Sequence, residues 1–461
     1  MHSILFAQTN SVAKPSTSQL AWHEMEFYLF THFGPNTFTG KEWGHGDEPE
    51  DIFNPSQLDC NQWARIAKEA GAKGIIITAK HHDGFCLWPS EFSKHTVRES
   101  KWKDGQGDVL KELANACKKN GLKFGVYISP WDRNHPDYGT PKYNEVYINT
   151  MKEIFHRYSP IWELWWDGAN GEGPSGKKQE YDFPKFERTI QVLSPSTVIF
   201  SDIGPHIRWV GNEKGIAGDP NWNYLDTKGF KRGYGAPPTD TLNHGNYNGK
   251  HWIPAECDVS IRPGWFYHQE EDNRVKSSEV LFDIFLKSVG RGANLLLNVP
   301  PDTRGLIHAN DSAALMQFKK LREQSFKNNL VANSKLQFKS HRIDYTLSNV
   351  DFQKKYTTYG VETNQIKVIF DKPVTMNCIE LKEGIAEGQF IRNYKIDLFD
   401  ETQLIHTISG TSIGRKRILI FPELKATSFQ LVIVRASGHE KISSIKAYHL
   451  DNSLVEKIKN N

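Results

Sequence analysis

A chain of 461 residues is too long for one modest core, so two domains are expected. Its 57 basic and 54 acidic residues, net +3, are mixed along the chain and form no basic stripe, which argues against a nucleic-acid partner. No apolar run approaches the roughly 18 residues of a membrane span, so no spanning helix is expected.

In chain order, the start MHSILFAQTN has the look of the tail of a secretory signal with a small residue at Ala7, and the expected location is periplasmic or secreted. From about residue 26 to 330, apolar strands alternate with amphipathic helices. The strand candidates are 26–33, 74–79, 122–129, 161–166, 197–201, 253–257 and 293–299; one strand of an eight-strand set, the seventh, is not visible. Between them, Asp59 is placed to cap QWARIAKEAGA, DVLKELANACKKNG ends on glycine, and SSEVLFDIFLKSVGRG repeats those start and stop signals. Repeated strand–helix units imply a parallel sheet. Past about residue 335 come short alternating segments such as NQIKVIF, YKIDLFD and SFQLVIV, the pattern of an antiparallel β-sandwich. The domains are therefore expected at 1–335 and 336–461, with 328–345 as linker, and the second either braces the first or is carbohydrate-binding-like.

An open doubly wound sheet and a closed (β/α)8-like TIM barrel both fit the first part. No GxGxxG or P-loop follows a strand. Instead His32, His81 and His82, Trp131, Asp167, Asp202 and the Glu256/Asp258 pair follow successive strands, and one functional group per strand end is how a barrel builds a site at its C-terminal face. The α/β barrel is the reading adopted.

Asp167 ends the apolar run IWELWW, and a carboxylate there is either a nucleophile walled by Trp165 and Trp166 or a turn cap through Gly168. A glycosidase needs a second carboxylate, for which Glu213 in RWVGNEKG and Glu256 in WIPAECDVS are the candidates. Adjacent His81 and His82 point different ways, unlike the His-x-His of mononuclear barrel hydrolases, and suit hydrogen bonds to hydroxyls; no metal and no cofactor are expected. Glu42 beside Trp43 pairs a hydroxyl acceptor with an aromatic platform, and the 13 Trp, 16 Tyr and 26 Phe lean the same way. The five cysteines form no CxxC pair, which argues against a zinc cluster or a disulfide framework. A metal-dependent barrel hydrolase and a non-catalytic sugar-binding protein are the rival readings.

The motifs FTHFGPNTF, EW, TAKHHDGFCLWPS, YISPWD, ELWWDGA, RWVGNE and GANLLLNVPPDTRGLI occur in the order found in retaining α-L-fucosidases of glycoside hydrolase family 29, which this chain resembles over about residues 20–310. The resemblance implies a fucosylated oligosaccharide as substrate, Asp167 as nucleophile, and His32, Glu42, Trp43, His81 and His82 on the fucose hydroxyls. RWVGNE resembles the branch acting on α-1,3/1,4 linkages, which implies Glu213 as acid/base and leaves Glu256 second. Trp131 is expected beside the sugar, Arg262 as a cation near Asp167, and Trp265 or Phe266 as an apolar wall for the fucose methyl.

Overall fold

Eight parallel strands close on themselves, each pairing with its neighbour in sequence, in a computed structural model that describes residues 12–340, 344–348, 352 and 360–459. They are β1 Phe27–Thr31, β2 Gly74–Lys80, β3 Lys123–Ile128, β4 Glu163–Trp165, β5 Val198–Ser201, β6 Ile207–Trp209, β7 Ala255–Ser260 and β8 Asn294–Asn298, and β8 returns to β1 with Phe27 beside Leu295. GIIITAK and NLLLN are apolar almost throughout because one face meets the barrel interior and the other the helices. The helices start where the sequence places their caps. The Asp59 side chain accepts from Asn61 and Gln62 amides, that of Asp108 from Lys111, and that of Ser277 from Val280. Residues 1–11, with the signal-like start, lie outside the described residues.

One expectation fails here. The strand missing from the sequence reading is the sixth, and 253–257 is part of the seventh. Strand β6 is three residues long and centred on Arg208, so it carries no apolar run to find. Arg208 is fully buried because its guanidinium donates to the carbonyls of Leu242 (2.8 Å), Trp222 (3.1 Å) and Ile253 and to Asn221 Oδ1 (3.0 Å).

Inside the barrel, Phe30, Tyr127 and Trp165 meet at ring-centroid distances of 5.3–5.8 Å, Tyr127 nearly stacked on Trp165. These three rings form a floor across the lumen. Above it the strand ends open to solvent; below it the interior is closed.

The second domain is an antiparallel β-sandwich built from one eight-stranded sheet. Its longest strands, Gln365–Glu383 and Arg417–Ala436, shift register between Ile369 and Val374, and such bulges bend a strand so that both halves can cover one core. Alternation is clean in Lys335–Lys339, where Leu336 and Phe338 are buried and the lysines exposed. This strand falls within 328–345 and Asp344–Ser348 begins there, so that segment is not all linker. The sandwich holds the barrel's lower rim, away from the strand ends: Arg415 pairs with Glu24 (2.6 Å), Lys416 with Glu26 (2.8 Å) and Arg417 with Asp219 (2.6 Å).

Candidate active site

At the C-terminal ends of the strands lies a cavity of about 190 Å³ lined by Phe30, His32, Glu42, Trp43, His81, His82, Tyr127, Trp165, Asp167, Ala169, Glu213, Asp258 and Trp265. Asp167 sits two residues beyond β4. Its Oδ1 accepts the Ala169 amide (2.7 Å), its Oδ2 accepts the Tyr127 hydroxyl (3.0 Å), and His82 Nε2 stands 3.8 Å from Oδ2. Both oxygens are thus aimed by short, fixed donors. Gly168 follows because a Cβ there would sit 2.1 Å from Asp202 Oδ2, so only glycine lets the chain pass. Burial and the neighbouring Asp167 charge push the Asp202 carboxyl up to about 6.

The three histidines are neutral. Burial carries His32 down to about 3 against the opposing hydrogen bond of Asn298, and His82 to about 4 against the pull of Asp167; His81 also falls well below the usual range, from burial and from its histidine neighbours. A neutral imidazole has one N–H and one lone pair, the complement of a sugar hydroxyl. The carbonyl oxygen of the Asn298 side chain faces His32 Nδ1 at 2.9 Å, so Nδ1 carries the proton and Nε2 is left as acceptor. His82 Nδ1 engages Ser129 Oγ (2.7 Å), while buried His81 Nδ1 has no hydrogen-bond partner among the described residues.

Glu42 ties a loop across the mouth, accepting from the amides of Trp265 (2.8 Å) and Phe266 (3.3 Å) and from His268 Nε2 (2.6 Å). Trp265 is the hub of that loop: its carbonyl accepts from Asn298 (2.7 Å), and its indole N–H donates to Glu213 Oε2 (3.2 Å). Among the described residues no group of three or more His, Cys, Asp or Glu side chains is arranged to hold a metal ion.

Known proteins are similar to this chain over most of its length. The family profile described as alpha-L-fucosidase matches residues 6–322. Alpha-L-fucosidase 1 of Arabidopsis thaliana is 41% identical over 446 residues, covering 94% of this chain and 87% of that protein. The chain belongs to the α-L-fucosidase family, glycoside hydrolase family 29. A family 29 member from a rumen bacterium superposes with a TM-score of 0.85 at 38% identity, covering 96% of this chain and 78% of that one. A Ruminococcus gnavus family 29 fucosidase in complex with fucose gives 0.84 at 28% identity, with 98% of both chains covered.

In this α-L-fucosidase the cavity brings together His32, Glu42, Trp43, His81, His82, Asp167, Glu213 and Trp265 of the residues expected from sequence. Five others go elsewhere. Glu256 is fully buried near the start of β7, where Trp165 Nε1 donates to it (2.8 Å) and the Tyr28 hydroxyl bonds it from beneath the floor. Arg262 is fully buried against Asp311 (2.6 Å) and Asp272 (2.9 Å), so it braces the 263–272 loop and does not face Asp167. Trp131 lies behind the cavity, edge-on to Trp43 (5.5 Å) and tilted against His82 (4.9 Å). Phe266 backs His32 and His81, leaving Trp265 as the apolar wall. Trp166 is no wall either: alternation turns it outward onto Phe183 and Phe186. The sequence reading missed Phe30 and Tyr127, inward positions of β1 and β3 that period-2 counting from His32 and Ser129 would have flagged, and Asn298, which orients His32 and Trp265 from the end of β8.

Proposed function

We propose that this chain hydrolyses terminal α-1,3/1,4-linked L-fucose from oligosaccharides and glycoconjugates with retention, Asp167 acting as nucleophile and Glu213 as acid/base. One observation carries the reading: Asp167 and Glu213 come from different strand ends and line the same small cavity, whereas Glu256, the other candidate acid, lies below the floor. In the first step an Asp167 oxygen attacks the anomeric carbon while Glu213 gives its proton to the departing glycosidic oxygen. In the second, Glu213 takes a proton from the water that displaces Asp167 from that carbon, restoring both groups. The neutral histidines and Glu42 engage the ring hydroxyls, and Trp265 offers the apolar face that suits a methyl. The linkage assignment is supported by RWVGNE, whose glutamate lies in the cavity.

The test separates the two glutamates. Glu213→Ala should lose nearly all activity on oligosaccharides, keep more on aryl fucosides whose leaving group needs no proton, and, with azide added, yield a fucosyl azide of retained configuration. Glu256→Ala should show no azide rescue. Rescue of Glu256→Ala instead would reverse the roles, and equal turnover of α-1,2, α-1,3, α-1,4 and α-1,6 fucosides would remove the linkage assignment.

A further inference from the structure

Asp258 is the cavity carboxyl to which neither the double displacement nor the hydroxyl contacts above give a role. It is the fourth residue of β7, beside Leu296 of β8, and only 4% exposed. The other cavity carboxylates have evident partners: Asp167 has two donors, Glu42 three, and Glu213 the Trp265 indole. Asp258 accepts the Trp209 indole N–H on Oδ1 (3.0 Å), and among the described residues no lysine, arginine or histidine pairs with it. Its charged neighbours are acids. Burial first, then Glu213 and Glu256, push its carboxyl well above the usual carboxylate range, which favours its neutral, protonated form.

A buried carboxylate with no cation is costly, whereas a protonated carboxyl is not an unpaired charge and still accepts from Trp209. What the acid adds is an O–H donor beside the sugar. In a cavity whose histidine His32 presents an acceptor and whose Glu42 and Asp167 are acceptors, donors are the scarcer kind of group. A neutral Asp258 also adds no further negative charge beside Asp167.

Building on the retaining reading, we propose that Asp258 is a further substrate-binding residue, a neutral acid that is held through Oδ1 by Trp209 and donates from Oδ2 to a ring hydroxyl of the bound fucose. No bond to carbon forms or breaks at Asp258, and its proton stays on it through both steps.

The test pairs Asp258 variants with aryl fucosides lacking the 2-, 3- or 4-hydroxyl. For wild type, removing the contacted hydroxyl should cost about tenfold in kcat/KM, the scale of one hydrogen bond. In Asp258→Ala that penalty should shrink to within about twofold for one deoxy position only, with the loss on the full substrate falling mainly in KM. Asp258→Asn, which keeps both a donor and the acceptor for Trp209, should restore the deoxy penalty that Asp258→Ala loses, and thermal melting of both variants is the folding control. If all three deoxy penalties are the same in wild type and Asp258→Ala, the contact does not exist. If azide rescues Asp258→Ala but not Glu213→Ala, Asp258 is the acid/base, and the role given to Glu213 falls with the proposal. Loss of turnover in Asp167→Asn is read separately and bears on the retaining reading alone.

Discussion

Strand β4 with the residues just after it, and strand β7, each bring two carboxyls into the barrel, and the two of each meet opposite fates. Asp167 and Asp258 line the open cavity; Glu163 and Glu256 lie beneath the floor of Phe30, Tyr127 and Trp165. The lower pair is enclosed by Trp22, which donates to Glu163 Oε2 (3.1 Å), and by Tyr28 and Trp165 on Glu256. Neither glutamate forms an ion pair among the described residues. Burial and their mutual repulsion raise Glu163 well above the usual carboxylate range, and burial raises Glu256 too, so the pair holds a proton and serves as hydrogen-bonded packing. The same residue type becomes chemistry or scaffold according to depth along one strand.

The largest effect expected on this contrast is at Asp167. Asp167→Asn should lower kcat on an aryl fucoside by about a thousandfold or more, because the nucleophile acts in the transition state, while the melting temperature stays within about 2 °C. Retention of more than about a tenth of the activity would sink the nucleophile assignment. Glu256→Ala should do the reverse. It leaves the Tyr28 hydroxyl and Trp165 indole unpaired beside a new cavity, for a loss of about 3 kcal/mol in denaturant unfolding. Losing activity at unchanged stability would place Glu256 in the chemistry and erase the contrast.

A smaller effect is pH-dependent. Glu163 keeps its proton in the folded chain after the unfolded chain has released it near the ordinary glutamate value of about 4.3, so folding stability falls as pH rises from there toward the raised folded value. Glu163→Gln should flatten that fall by up to about 1.4 kcal/mol per pH unit, measured as the difference between variant and wild type. Taking the difference cancels the opposite slope from His32 and His82, whose lowered values make stability drop as pH falls below about 6.5. An identical pH slope in both proteins would mean the pair is not sharing a proton. The smallest effect is at Trp43, which is 53% exposed at the cavity mouth and touches His82 and Trp131 edge-on. Trp43→Ala should change stability by no more than about 0.5 kcal/mol and raise KM severalfold on oligosaccharides. An unchanged KM would remove it from the substrate's path.

What the sequence determined by itself was the sequence of strand and helix, because strands buried on both faces leave unbroken apolar runs and capped helices carry their own start signals. It also put His32, His81, His82, Asp167 and Glu213 at strand ends, where a barrel keeps its chemistry. Depth and direction needed the tertiary structure. Glu256 and Asp258 share a face of β7 and differ by two residues, about 7 Å of strand, yet the aromatic floor falls between them, and its rings come from β1, β3 and β4. Arg262 was drawn from the site by Asp311, 49 residues away in the chain, and the short strand β6 is held because Arg208 finds oxygen acceptors from 13 to 45 residues distant. Those partners are set by long-range packing, which no local pattern encodes.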